Sequence, residues 1–334
     1  MKRYGNLYEK IYNMDNLVLA HQNARKGKTH YTDVQKVDAD LELYLHAINQ
    51  MLKDKTYRTS EYKIFAKHDG KKEREIFVLP YYPDRIIQWA IVQVLEPIWE
   101  STLITNTFSS LKGRGIHQGL VKLQKDLQNR KDTKYCLKFD IKKFYPSIDH
   151  AILKSIIRKK IKDEDVLELL DGIIDGAPGV PIGNYLSQYF GNLYLSEFDH
   201  WCKEHNHARY YYRYCDDVIV LNSDKSVLHR FVWAIRRYLA TMLILVLKQN
   251  WQVFPTFVRG VDFLGYRCFG TYTLLRKSIV HRMILKLKQM SRFVTLTLRD
   301  KNVIASYHGW MVWCNSYRLE RKYIAPLMGK GVLQ

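Results

Sequence analysis

The chain has 334 residues, 47% hydrophobic and 26% charged, enough to bury a large core in one composite unit or two to three small domains. Its 53 Lys and Arg against 33 Asp and Glu leave a formal net charge of +20, a self-repulsion that a polyanion relieves, with nucleic acid the first candidate and a merely soluble basic protein the plainer one. The five scattered cysteines form no C-x-x-C pair, so neither a zinc site nor a disulfide framework is indicated, and a reducing cytosol is expected. The start, Met1-Lys2-Arg3-Tyr4, has no signal-peptide core, and no apolar stretch is long enough to span a bilayer.

Residues 1–60 read as helical, with Leu41, Leu45, Ile48 and Leu52 on one face. Glu61–Phe65 and Arg74–Leu79 read as two strands joined through Asp69-Gly70, with Lys67, Lys71, Lys72 and Arg74 giving a basic edge. That edge suits a triphosphate or a template backbone, or it is an edge strand defended by lysines. Pro83-Asp84 starts a helix with Ile87, Ile91, Val94 and Ile98 inward. Phe108–Gly115 is a basic, glycine-containing loop before a helix striped by Ile116, Leu120, Leu123 and Leu127, an arrangement that suits phosphate.

Lys134–Asp140 alternates, with Tyr135, Leu137 and Phe139 on one face and Cys136, Lys138 and Asp140 on the other. Asp140 therefore ends a strand beside a turn, as a metal ligand or as an ordinary Asx turn, and Ser147 is placed to cap the following helix. Pro178–Gly183 is a loop that feeds a long helix through Leu186, Phe190 and Leu193. Tyr210-Tyr211-Tyr212 and Val218–Leu221 flank Tyr214-Cys215-Asp216-Asp217, a strand, tight turn and strand with two carboxylates at the tip. Ser226–Leu243 reads as an amphipathic helix, Leu245–Phe254 as a strand holding Lys248, and Val261–Tyr266 as a further strand with a glycine for close approach. Arg276–Arg299 has no acidic residue and reads as a backbone-binding helix, and Tyr307–Tyr323 as a closing helical element.

A strand ending in Asp140 and a hairpin tipped by Asp216-Asp217 can be neighbours in one antiparallel sheet. Three carboxylates without His or Cys favour magnesium. Two such ions about 3.5–4 Å apart can activate a 3′-hydroxyl and stabilise leaving pyrophosphate.

From about Lys72 to Tyr323 the chain resembles a reverse transcriptase, with the motifs in the family's order. Lys72-x-Arg74-x-Ile76 resembles the triphosphate-handling fingers motif, and Phe139–Tyr145 the first palm motif. Gly179–Gly183 with Ser187 resembles the loop-helix motif, Tyr214–Asp217 is the catalytic hairpin, and Phe263-Leu264-Gly265-Tyr266 resembles the primer grip. The resemblance implies that Asp140 and Asp216 hold two Mg2+ with the Ile141 carbonyl, Asp217 being the second carboxylate. It places Tyr145 under the sugar as a gate against a 2′-hydroxyl, and Lys72 and Arg74 on the triphosphate. Ile182 and Gln188 fall beside the incoming nucleotide. Lys248 is a candidate proton donor to pyrophosphate, with a merely solvated lysine as its alternative. Arg114, Arg276, Lys277, Arg282 and Lys286 would meet the nucleic-acid backbone.

There are departures from the family's pattern. Most relatives have Gln-Gly where this chain has Ile182-Gly183, Ser-Pro where it has Ser187-Gln188, and often an Arg at the position of Leu111, which Arg114 partly replaces. The run Ile182-Gly183-x-x-x-Ser187-Gln188 is similar to the hallmark of diversity-generating retroelements, whose reverse transcriptases copy a template-repeat RNA with errors at adenines. A branched apolar side chain in place of a polar contact loosens selection at the nascent pair, unless Ile182 is a neutral packing variant.

The expected fold is an α+β right-hand polymerase. An N-terminal helical extension (1–60) precedes fingers (61–134), a palm with an antiparallel RRM-like sheet (135–272, with a fingers insertion near 151–177) and a helical thumb (273–334). Expected partners are template RNA, the cDNA/RNA duplex, dNTPs and a small basic oligomeric accessory protein, with no membrane. A phage-defence or group II intron-related reverse transcriptase without adenine bias is the alternative enzyme. A non-catalytic RNA-binding protein on the same fold is the alternative class.

Overall fold

The computed structural model describes residues 2–69 and 72–330. Four helices open the chain: α1 (Tyr8–Tyr12), α2 (Met14–Ala24), α3 (Thr32–Ala39) and α4 (Leu41–Lys53). Strands β1 (Lys63–Asp69) and β2 (Lys72–Val78) follow, then α5 (Ile86–Glu100), α6 (Ile116–Leu127), β3 (Tyr135–Phe139), α7 (His150–Arg158), α8 (Glu164–Ile174), α9 (Ser187–Tyr194) and α10 (Ser196–His200). Next come β4 (Tyr210–Tyr214), β5 (Asp217–Asn222), α11 (Lys225–Met242), β6 (Gln252–Pro255), α12 (Thr256–Arg259), β7 (Val261–Phe263), β8 (Tyr266–Cys268) and β9 (Thr273–Leu275). Helices α13 (Lys277–Ser291) and α14 (Leu298–Met311) and short helical turns complete the chain. It divides into two compact units. One comprises Met1–Ser110, Ile141–Asn206 and Ala234–Lys248, the other Leu111–Asp140, His207–Trp233 and Gln249–Gln334.

In the first unit α5 is the central element, because it is apolar on nearly every side. Ile86, Ile87, Ala90, Ile91 and Leu95 are fully buried, and each large aliphatic among them contributes roughly 1.5–3 kcal/mol by leaving water. Helix α2 packs on it, and Asn16 Nδ2 donates to the Ala90 carbonyl at 3.1 Å. Strands β1 and β2 pair antiparallel as an isolated ribbon, with Phe65 opposite Ile76 and Lys67 opposite Arg74. Gly70, part of the expected Asp69-Gly70 turn, and Lys71 lie outside the described residues, as does the side chain of Lys72. Helix α7 is capped by Asp149, whose carboxylate accepts from the Ile152 N–H at 2.9 Å. Ser147, the expected cap, instead closes a 3-10 turn begun at Tyr145.

In the second unit a four-stranded antiparallel sheet has the order β4-β5-β3-β6. Strands β3, β4 and β5 are buried on both faces: Cys136, Leu137, Tyr211, Tyr212, Val218 and Ile219 are all inaccessible. That explains why β5 reads as a continuous apolar run rather than an alternation. A separate three-stranded sheet has the order β7-β8-β9.

Three expectations need correction. Lys248 is not in a strand: β6 begins only at Gln252, and Lys248 follows an isolated bridge between Leu247 and Ile141, before a turn at Gln249-Asn250. Val261–Tyr266 is not one strand but two, because Leu264 and Gly265 both take positive φ (54° and 86°) and close a two-residue hairpin of the I′ kind. The basic stretch after Arg276 is not one helix. It breaks after Ser291, and α14 starts anew at Thr297, whose hydroxyl and the Asp300 carboxylate form a capping box.

Candidate active site

Strands β4 and β5 close on the pair Tyr214 and Asp217, leaving Cys215-Asp216 as a two-residue turn. Cys215 takes φ 52°, a left-handed conformation that costs a residue with a Cβ roughly 1–3 kcal/mol and must be held by its surroundings. Part of the hold comes from Arg213, fully buried, whose Nη1 donates to the Cys215 carbonyl at 3.1 Å. Strand β3 lies beside β5 with Phe139 opposite Val218. That register brings Asp140, the residue after β3, alongside Asp217, the first residue of β5, at the spacing of a cross-strand pair.

Burial pushes the Asp217 carboxyl above the usual carboxylate range, against the pull of the Lys138 ammonium; the neighbouring Asp140 charge adds to the rise and Arg276 opposes it. Lys138 Nζ lies 3.3 Å from Asp217 Oδ2, donates to the Asp262 main-chain carbonyl at 2.6 Å, and stands 4.0 Å from Asp262 Oδ1. Arg276 holds that same Oδ1 with Nε at 2.8 Å and Nη2 at 2.5 Å. Charges of alternating sign thus run Asp217, Lys138, Asp262, Arg276. Asp217 Oδ1 is buried with no hydrogen-bond partner. Two carboxylates at facing strand ends, one with such an oxygen, suit a hard divalent cation. Among the described residues no three His, Cys, Asp or Glu side chains converge as a metal-holding group. Asp217 leads off β5 toward Lys138, while Asp216 sits in the turn.

The other candidates are distributed as follows. In the first unit Arg74 is exposed on β2, opposite Lys67. The Ile182 carbonyl accepts from the Phe77 N–H at 2.8 Å, and a Cβ on Gly183 (φ 118°) would lie 2.4 Å from the Phe77 carbonyl oxygen. The loop before α9 is therefore stitched to β2, and only glycine fits at 183. Ser187 Oγ donates back to the Pro181 carbonyl at 2.6 Å, while Gln188 is half-buried on the first turn of α9. The Tyr145 carbonyl accepts from the Val180 N–H at 2.9 Å. A Cβ on Gly191 of α9 would meet Tyr145 Cε1 at 3.0 Å, so this glycine backs the tyrosine ring. Ile141 is fully buried and bridges Leu247. In the second unit Arg114 closes a turn, its N–H donating to the Leu111 carbonyl at 3.1 Å. Phe263, Leu264 and Tyr266 are buried, and a Cβ on Gly265 would lie 2.6 Å from Trp310 Cζ3. Lys277, Arg282 and Lys286 are exposed on α13, opposite its buried stripe of Met283, Leu287 and Met290.

The family model described as reverse transcriptase (RNA-dependent DNA polymerase) matches residues 65–268, more than half of the chain. The chain belongs to the reverse transcriptase family. It is 28% identical over 192 residues to Protein YkfC of Escherichia coli (strain K12), covering 53% of this chain and 45% of that protein. It is 27% identical over 212 residues to the Group II intron-encoded protein LtrA of Lactococcus lactis subsp. cremoris, covering 59% and 35%. These matches span less than half the length of either relative. Among solved structures it resembles telomerase from Candida albicans in complex with a TWJ fragment of telomeric RNA (TM-score 0.52, 13% identity, 88% of this chain and 61% of that one). It also resembles apo telomerase from Candida tropicalis (TM-score 0.51, 15% identity, 66% and 49%). At such identities the likeness shows the fold, a mixed helix and strand polymerase fold. No helix among the described residues is long and apolar enough to cross a membrane.

Reading this reverse transcriptase from sequence missed Lys138, Asp262 and Arg213 around the carboxylates of the second unit, and Gly191 behind Tyr145 in the first. Lys138 had a signal: it shares the less apolar face of β3 with Asp140. Asp262, Arg213 and Gly191 had none, since each acts through a partner on another segment.

Proposed function

We propose that this chain is an RNA-directed DNA polymerase that extends a 3′-hydroxyl with deoxynucleotides on an RNA template, as the catalytic part of a diversity-generating retroelement. The observation that carries the polymerase reading is the β3–β5 pairing, which sets Asp140 alongside Asp217 at the root of the Cys215-Asp216 turn. Asp140, Asp216, Asp217 and the Ile141 carbonyl would hold two magnesium ions, which when bound activate the 3′-hydroxyl and stabilise the departing pyrophosphate. In this reading the fingers would span 61–134, the palm 135–272 and the thumb 273–334.

The protein's own residues position the partners. Lys72 and Arg74 bind the triphosphate, and Tyr145, backed by Gly191, excludes a ribose 2′-hydroxyl. Lys248 donates a proton to pyrophosphate. Phe263–Tyr266 holds the primer end on its tight turn, and Arg114, Lys277, Arg282 and Lys286 contact backbone phosphates, for which the net charge of +20 provides.

The retroelement role rests on Ile182-Gly183 with Ser187-Gln188. Ile182 is tied to β2 by its carbonyl, so its side chain is presented from a fixed main chain. An apolar wall there gives a mispaired base fewer polar penalties than Gln would. A small basic oligomeric protein helps bind the structured template RNA. The likeness to a group II intron-encoded protein favours a second reading, a reverse transcriptase without adenine bias.

The experiment is cDNA synthesis on a defined RNA with dNTPs and magnesium, Asp216→Ala as control, and sequencing of the products. Errors concentrated opposite template adenines support the retroelement reading. Evenly scattered errors keep the polymerase and select the second reading, and absence of any Asp216-dependent product overturns both.

A further inference from the structure

We propose that Lys138 is a positioning residue that fixes Asp217 by one carboxylate oxygen and ties it to the main chain of the β7–β8 hairpin. This rests on the polymerase reading of the site. A lysine ammonium has three donors and no acceptor, and this one reaches two other strands from a third. It stands on β3, two residues before Asp140 and opposite Ile219. From there Nζ meets Asp217 Oδ2 on β5 at 3.3 Å and the Asp262 carbonyl on β7 at 2.6 Å. One oxygen of Asp217 is held while Oδ1 takes no hydrogen bond from the protein. That leaves the carboxylate oriented by one atom and able to act with the other.

Arg276 makes the device selective. The Asp262 carboxylate is a competitor for Lys138, but its Oδ1 is 4.0 Å from Nζ and only 2.5 Å from Arg276 Nη2. With Asp262 so engaged, the remaining charge of Lys138 acts on Asp217. The Lys138–Asp217 contact, at 3.3 Å, is longer than the other hydrogen bonds of the set, so a carboxylate released at position 262 would loosen it first. Arg276 therefore serves the site through Asp262.

The test uses the full chain in primer extension with magnesium. Lys138→Met keeps the stem and removes the charge. It should lower kcat about 30-fold, the usual range for a group that orients a ligand, while the KM for dNTP changes less than about threefold. Lys138→Arg should recover most of the loss. Arg276→Gln should lower kcat in the same sense with template-primer Kd and its salt dependence unchanged; a shift in Kd alone would make Arg276 a phosphate contact and remove it from the proposal. In an Asp217→Asn background, Lys138→Met should cost less than about threefold.

A second readout needs neither activity nor metal. In urea with EDTA, the folded-to-unfolded ratio of Lys138→Met/Asp217→Asn should exceed the product of the single effects by about fivefold, the mark of a coupled pair. Additive effects in urea, or an unchanged kcat for Lys138→Met in an active enzyme, overturn the proposal alone. An inactive wild-type chain overturns the polymerase reading instead, and the urea cycle then still reports whether Lys138 and Asp217 are coupled.

Discussion

Gly191→Ala is the most informative small change in the first unit. The added methyl would stand 3.0 Å from Tyr145 Cε1, 3.2 Å from Phe144 Cε1 and 3.4 Å from Tyr145 Cζ, where carbon atoms at rest keep about 3.5–4.0 Å. The overlap of about half an ångström must be relieved by moving a ring, because the methyl grows from helix backbone. Phe144 is buried and Tyr145 is half-exposed, so Tyr145 yields, away from α9. Overpacking of this kind costs about 1–3 kcal/mol. Exchanging Gly for Ala inside a helix returns about 1 kcal/mol, so the melting temperature should move by no more than about 4 °C. The site should notice more than the fold does. If Tyr145 lies under the incoming sugar, a ring pushed outward narrows that space, and 1–2 kcal/mol of overlap corresponds to a dNTP KM raised about five- to thirtyfold. The assay is single-nucleotide extension with dNTP and rNTP in parallel. Tyr145→Ala alone should admit rNTP, and in that background Gly191→Ala should lose its effect, since the ring it displaces is gone. An unchanged KM for Gly191→Ala, or an effect that survives without the Tyr145 ring, refutes the reasoning.

Other changes test separate parts of the structure. Asp140→Ala and Asp216→Ala should each abolish cDNA synthesis with the circular dichroism spectrum and melting curve retained; near-normal activity in either would remove that residue from the site. Gly183→Ala should be far worse than Gly191→Ala for stability, because its methyl meets the Phe77 carbonyl at 2.4 Å and the residue needs φ 118°. A cost of about 3 kcal/mol in urea unfolding is expected, and a loss below about 1 kcal/mol would mean the loop is not stitched to β2. His200 is pulled down by burial but raised on balance by Glu204, whose Oε1 lies 2.6 Å from Nδ1, and by the Thr102 carbonyl. A raised folded value gives stability that is full below the unfolded His value and lost as pH rises through the folded one. Melting temperature should therefore decline slightly from about pH 6.5 upward, and Glu204→Gln should flatten that slope; an unchanged slope would show that His200 does not contribute.

Sequence alone determined the elements whose signals are local. The hairpin around Cys215-Asp216 was legible because β-branched and aromatic runs flank a polar turn, and Asp140 because an alternating segment stops there. The helices before residue 60 and the Ser226–Leu243 helix (Lys225–Met242 in the structure) follow from apolar spacing at helical period. What failed also failed locally. Leu264-Gly265 looked like strand interior because a hydrophobic residue at positive φ leaves no compositional trace. Lys248 looked like strand because it follows the apolar run Leu243–Leu247, although only an isolated bridge forms there.

Tertiary structure alone decided which distant residues meet. Lys138 acts on a carbonyl 124 residues away, and Arg276 acts through the side chain of Asp262. Gly191 matters because of a ring on another segment, and Gly183 because of a carbonyl on β2. In each case the physical reason is the same. Periodicity and turn chemistry are written in neighbouring residues, whereas a hydrogen bond or a van der Waals contact across the fold depends on distances that no stretch of sequence carries by itself.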